Sequence, residues 1–208
     1  MTGIEHYPTF LFAGILLNLT PGADTIYILS RSIAQGRKAG VASVLGIMTG
    51  SIVHTTFAAL GLSVILATSA VIYQTVKYIG AAYLVYLGVR MFFASEFLLN
   101  PDSCRKQEPL LDIYRQGVLT NVLNPKVALF FLSFLPQFID PAFARGPLPF
   151  LVLGLTFTTT GTIWCFVLAT SASALTVRLR NNSVIARALQ KICGVVFVAL
   201  GLQLAVRK

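Results

Sequence analysis

Acidic side chains are scarce in this sequence: seven Asp and Glu stand against sixteen Lys and Arg in 208 residues, a formal net charge of +9. Charged residues of both signs make up 11%, under half of the about 25% usual in a soluble domain. With 56% hydrophobic residues and a mean hydropathy of +0.78, a water-soluble domain is excluded and the chain belongs in lipid. The basic excess is therefore read as the loop bias of a membrane protein, not as a nucleic-acid surface. Histidine occurs twice and cysteine three times. Cys104, Cys165 and Cys193 have no paired spacing, which argues against a disulfide framework or a zinc site. Neither a metal nor a cofactor is expected. The first residues carry Glu5 and no Lys or Arg, so the first apolar run is expected to stay in the mature protein rather than leave as a signal peptide.

In place of these the sequence has long apolar runs. They cover Phe10 to Leu29, Val41 to about Leu66, Val71 to about Phe93, Gly117 to Phe138, Leu148 to about Leu175, and Ile192 to Val206. A helix needs about 20 apolar residues to cross a bilayer; the last run is short, and Lys191 is placed to snorkel from its first turn. The expected fold is all-α: one polytopic transmembrane domain over residues 1–208 with six helices. A hydrophilic loop, about 94–115, separates a first half (about 1–93) from a second (about 116–208). The turns after the first, third and fifth helices hold Arg31, Arg37 and Lys38, then Arg90, Arg105, Lys106 and Arg115, then Arg178, Arg180, Arg187 and Lys191. The other side holds only Lys77, Arg145, Arg207 and Lys208. The basic side faces the cytoplasm, so both termini are expected on the non-cytoplasmic side.

The two halves resemble each other. Gly14-x3-Asn18-x2-Pro21 in the first run matches Gly117-x3-Asn121-x3-Pro125 in the fourth, with one residue's difference in the last gap. Lys77-x2-Gly80 with Leu87-Gly88 matches Lys191-x2-Gly194 with Leu200-Gly201, and Thr49-Gly50 matches Thr160-Gly161. Three helices per half is an odd number, so the halves would enter the membrane from opposite sides. That is the inverted-topology repeat of many secondary transporters, whose substrate lies near the midplane at interrupted helices.

The interruptions are visible. Pro21 removes a backbone donor and collides with the preceding turn, and Gly22 follows it in the stretch Asn18-Leu19-Thr20-Pro21-Gly22-Ala23-Asp24. Asp24 is the one acid inside an apolar run, where a charge costs roughly 2.5–3.5 kcal/mol on insertion scales. Lys126, after Pro125, is the one base deep in a run. Such charges are functional candidates by default, although an ion pair pinning the first helix to the fourth would also account for them. Thr20, Asn18, Asn121 and Asn124 have two compatible roles: satisfying backbone groups freed by proline, and orienting a small polar ligand. Pro21 and Pro125 suit the first position of half-helices, whose free N–H groups and positive dipole end favour a carboxylate. His54 offers either a proton relay or a hydrogen bond between helices. Gly46-x3-Gly50 permits close helix contact.

Taken in order, Thr20-Pro21-Gly22-Ala23-Asp24, Gln35-Gly36-Arg37-Lys38-Ala39-Gly40, Gly46-x3-Gly50, and Asn121-x2-Asn124-Pro125-Lys126 followed by Pro136-Gln137-Phe138 resemble the LysE/RhtB family of amino-acid exporters. The similarity covers almost the whole chain, with Ala23 where that family commonly has a second proline. The resemblance implies a six-helix bacterial inner-membrane protein that expels amino acids of the homoserine, threonine or leucine type, or basic ones in the lysine branch, driven by proton-motive force. The neutral branch fits better, since a lone intramembrane acid leaves little to hold a second substrate ammonium. On this reading Asn18, Thr20, Pro21, Gly22, Asn121, Asn124, Pro125 and Lys126 form the substrate site, and Asp24 and His54 couple protons. Its partners are the amino acid, protons and the bilayer; assembly as a homodimer is left open. A membrane enzyme using Asp24 and His54 as an acid/base couple lacks a nucleophile–base set or metal-ligand cluster in the spans. A passive channel is told apart by counterflow against a gradient.

Overall fold

The computed structural model describes residues 3–62, 108–140, 142–144 and 146–181, with scattered positions between 71 and 89 and between 191 and 206; for 173–181 only the backbone is described. Among these residues the chain is helical and contains no strand, apart from an isolated antiparallel bridge between Ile4 and Ile139. Helix α1 spans Tyr7–Leu19, α2 Ala23–Phe57, α3 Leu110–Val122, α4 Pro125–Leu129 and α5 Leu148–Asn181. A π turn, Ala58–Leu62, prolongs α2, while α4 runs on through a π segment, Phe130–Phe134, and a 3₁₀ turn, Leu135–Phe138.

The first apolar run breaks at the expected Pro21–Gly22 pair, but Pro21 does not open the second half-helix: α1 stops at Leu19, Gly22 is the N-cap, and α2 starts at Ala23. The polar stretch Arg31–Gly40, expected as a turn, is instead helical except at Gly36, whose φ of 79° and ψ of −173° are open essentially to glycine alone. Gly36 thus divides α2 into two arms. The second, 37–57, is about 30 Å long at 1.5 Å per residue, the thickness of a hydrocarbon core. Among the described residues two helices are long and apolar enough to cross a membrane, Ala23–Gly61 and Leu148–Ala172, and a third crossing is counted where α3 and the helix from Pro125 to Phe138, bent by 45° to each other, are taken as one broken span. Phe57, Leu123 and Ile163 are 68%, 75% and 62% exposed, as lipid-facing side chains would be.

Glycines set the closest approaches. A Cβ on Gly46 would collide with the Tyr114 carbonyl oxygen, and Gly117 meets the Ser43 carbonyl and Gly46 Cα across the same seam. The second arm of α2 and α3 therefore touch backbone to backbone. In the third and sixth runs the described positions are helical, and Gly201 abuts Ala81 and Val85. The matches at Lys77, Gly80, Leu87-Gly88, Gly194 and Leu200, and most of the 94–115 loop, lie outside the described residues.

The two ends of the bundle are tied differently. At one end Phe10, Phe130, Phe134, Phe138 and Phe157 pack ring on ring, with Phe130 and Phe157 centroids 4.5 Å apart. The N-terminal tail is stitched there by Glu5 N–H to the Phe138 carbonyl and Asp140 N–H to the Gly3 carbonyl, each 2.8 Å. At the other end Arg31, 6% exposed, donates through Nη2 to Glu108 Oε2 at 2.9 Å and Gln116 Oε1 at 2.7 Å. Gln116 Nε2 donates to the same Glu108 oxygen at 2.7 Å, and Gln35 Oε1 accepts from the Glu108 N–H. The Arg31 and Gln116 donors hold the Glu108 carboxyl below its usual range.

Candidate functional site

Between these ends the two broken helices meet. When α1 stops, its last carbonyls have no partners within the helix and its negative dipole end is exposed. Thr20 recovers part of the loss: its N–H reaches the Leu16 and Leu17 carbonyls, and its hydroxyl donates to Leu16 O at 2.8 Å. Lys126 Nζ adds two more bonds, donating to Leu17 O at 3.1 Å and Thr20 O at 3.0 Å. A cation thus caps the C-terminal end of α1 from the opposite half of the chain. Gly22 makes room for it, since a Cβ there would stand 3.1 Å from Nζ. Asp24 occupies the first turn of α2, where the positive dipole end suits a carboxylate.

The second break follows the same logic. Asn124 is the N-cap of α4, its Oδ1 accepting from Lys126 N–H at 3.1 Å, and Pro125 occupies the first helical position. Asn121, one turn earlier and buried, donates from Nδ2 to Asp24 Oδ2 at 2.9 Å. His54 Nε2 lies 3.1 Å from the Asn121 carbonyl, and its ring stacks on Phe131. Among the described ion pairs none joins Asp24 to Lys126; an amide holds the acid, and carbonyls hold the base.

Asn18, Asp24, Asn121 and Lys126 line one cavity of about 40 Å³, enough for water and well below the about 300–1,000 Å³ of an open ligand pocket. The other residues singled out in the sequence stand behind it: Thr20, Pro21, Gly22, Asn124 and Pro125 build the breaks, and His54 supports Asn121. The rest of the wall was not foreseen. Thr25, Ser51, Thr158 and Thr162 add hydroxyls, with Ser51 and Thr158 bonded at 2.8 Å, and Val44, Ile47, Met48, Phe157 and Trp164 add apolar surface. Thr160-Gly161, in sequence a repeat marker, packs on the first break: Asn18 Nδ2 donates to Thr160 Oγ1 at 3.3 Å, and Asn18 Oδ1 lies 3.0 Å from where a Gly161 Cβ would be.

Such an arrangement offers one negative and one positive group, neutral amides and hydroxyls between two tied ends, and an apolar wall. It is suited to enclosing a small zwitterion. Among the described residues no group of three or more His, Cys, Asp or Glu is placed to hold a metal ion.

Comparison with known proteins agrees with this construction. An uncharacterised membrane protein of Bacillus subtilis, YrhP, is 32% identical over 198 residues, 90% of this chain and 92% of its own. The leucine efflux protein of Klebsiella pneumoniae is 30% identical over 203 residues, 98% of this chain and 96% of its own. The leucine efflux protein of Salmonella choleraesuis is 27% identical over the same coverage. No solved structure matches the chain. Residues 15–208 match the LysE type translocators, and with that match the chain belongs to the LysE translocator family of membrane proteins.

Proposed function

We propose that this chain is a secondary exporter of small neutral amino acids, driven by proton antiport and built from six helices in two inverted halves. The observation that carries the reading is that a carboxylate and an ammonium, delivered by two separately broken helices, line a single cavity. The halves also answer each other across that cavity. Asn18 lies against Gly161 of the Thr160-Gly161 pair, and Asn121 lies against Gly50 of the Thr49-Gly50 pair, as a repeat with exchanged partners would have it. Two relatives are named for leucine efflux, and the apolar side of the cavity suits an aliphatic side chain. A basic amino acid would bring a second ammonium, for which Asp24 is the one acid among the described lining residues.

In this mechanism Asp24 alternates between a proton and the substrate ammonium. Asn121 orients it, and His54 holds Asn121 through its carbonyl rather than relaying protons. Lys126 supplies positive potential for the substrate carboxylate while keeping α1 closed off. The contracted cavity expands when one half rocks against the other, opening either the aromatic end or the Arg31–Glu108 end. The basic loops assign the Arg31 end to the cytoplasm and both termini to the far side of a bacterial inner membrane.

The test uses proteoliposomes loaded with a panel of amino acids, with and without an imposed pH gradient. The parent is expected to expel neutral amino acids faster when protons flow inward, and Asp24→Asn to lose that acceleration. Undiminished pH-driven efflux by Asp24→Asn would remove the acid from the coupling step.

A further inference from the structure

Buried polar atoms are nearly always hydrogen-bonded, and each exception calls for an explanation. Three exceptions cluster on the cavity: Asp24 Oδ1, Asn121 Oδ1 and Trp164 Nε1 are buried with no partner among the described residues, and all three residues line it. Two are acceptors. The third, an indole N–H, only donates. A metal ion would use the acceptors and leave the indole unexplained. A zwitterion uses all three, because its ammonium donates to Asp24 and Asn121 while its carboxylate accepts from Trp164.

Trp164 is also held firmly enough to discriminate. Its ring packs on the buried cluster that includes Ile28, Leu29, Val44 and Ile47, so the apolar body is seated while the nitrogen stays unsatisfied. It follows Gly161 by three residues on α5, which puts the two on the same face of the helix; Asn18 approaches at Gly161. We propose that Trp164 is a substrate-binding residue whose indole N–H recognises the carboxylate of the exported amino acid. This rests on the exporter reading and extends it to a residue that no motif marked.

The chain contains a single tryptophan, so its own fluorescence reports on the site. With purified protein in detergent, leucine is expected to shift or quench the emission saturably, and leucinamide, which lacks the carboxylate, to do so at least about tenfold more weakly. In proteoliposomes Trp164→Phe keeps the ring and removes the donor. Its KM for leucine should rise about tenfold with a smaller change in kcat, and its preference for leucine over leucinamide should shrink to the part that Lys126 supplies. An unchanged KM and preference in Trp164→Phe would overturn the assignment while leaving the exporter intact. Should that variant fail to fold, a parent that exports leucine with no change in emission overturns it equally. A parent that moves no amino acid removes the transport reading and this assignment together.

Discussion

Replacing Gly50 by alanine tests whether the helix seam and the cavity are one construction. The added methyl would sit 2.7 Å from Asn121 Cβ, 2.8 Å from Asn121 Oδ1 and 3.0 Å from the Val118 carbonyl oxygen. Carbon atoms in contact settle at about 3.5–4.0 Å, so something must move by roughly 0.5–1 Å. If α2 and α3 part, the backbone contact at Gly46 and Gly117 loosens. If Asn121 rotates away, its 2.9 Å bond to Asp24 is broken. Overpacking of this kind costs about 1–3 kcal/mol, and for a chain of this length each kcal/mol lowers the melting temperature by roughly 2–4 °C. Gly61→Ala is the internal control, because among the described residues nothing lies within 4 Å of a Cβ there. Melting of the purified protein in detergent, read by the monodisperse fraction after heating, should show Gly50→Ala falling by several degrees and Gly61→Ala staying with the parent. Efflux by Gly50→Ala should fall in parallel. A Gly50→Ala protein that melts and exports like the parent would refute both the seam and its link to Asp24.

Two further outcomes follow from the polar ties. Folding lowers the proton affinity of the Glu108 carboxyl, so its bonds to Arg31 and Gln116 add stability above the ordinary value of 4.5 and lose it as pH falls through the lowered folded value. Glu108→Gln should therefore melt below the parent at neutral pH and converge with it in strongly acid buffer; a difference that persists unchanged in acid would contradict this. Asn124→Ala removes the side-chain acceptor for Lys126 N–H and should cost about 1 kcal/mol, as other N-cap losses do, read as a melting shift of roughly 2–4 °C.

What the sequence revealed was whatever acts locally. Proline and glycine forced the break at Pro21–Gly22, Asn124 followed by Pro125 announced a helix start, and Asp24 and Lys126 stood out because charge is expensive among apolar neighbours. The polar stretch Arg31–Gly40 holds a break narrower than its composition suggests. Its Arg, Lys, Gln and Ala are good helix formers, so the chain leaves helical geometry at Gly36 alone. The apolar run begins at Gly117 while α3 begins at Leu110, because Asp112, Tyr114, Arg115 and Gln116 have the polarity of loop residues and Gln116 is engaged by Arg31 only in the fold. Ser51, Thr158 and Trp164 carry no local signature. Their place in the cavity depends on how α2 and α5 are rotated about their axes, and only packing fixes that.

The pairing of one anion with one cation in the cavity wall has an electrical consequence. Under the proposed one-for-one exchange with a proton, a zwitterion crosses such a wall as a neutral particle, and the inbound proton is the only net charge displaced per cycle. The membrane voltage then adds to the pH difference as a driving force: about 100 mV, inside negative, supplies roughly 2.3 kcal/mol per cycle. That alone sustains roughly a fiftyfold outward concentration ratio, and collapsing the voltage with a potassium ionophore should slow the pump even at equal pH on both sides.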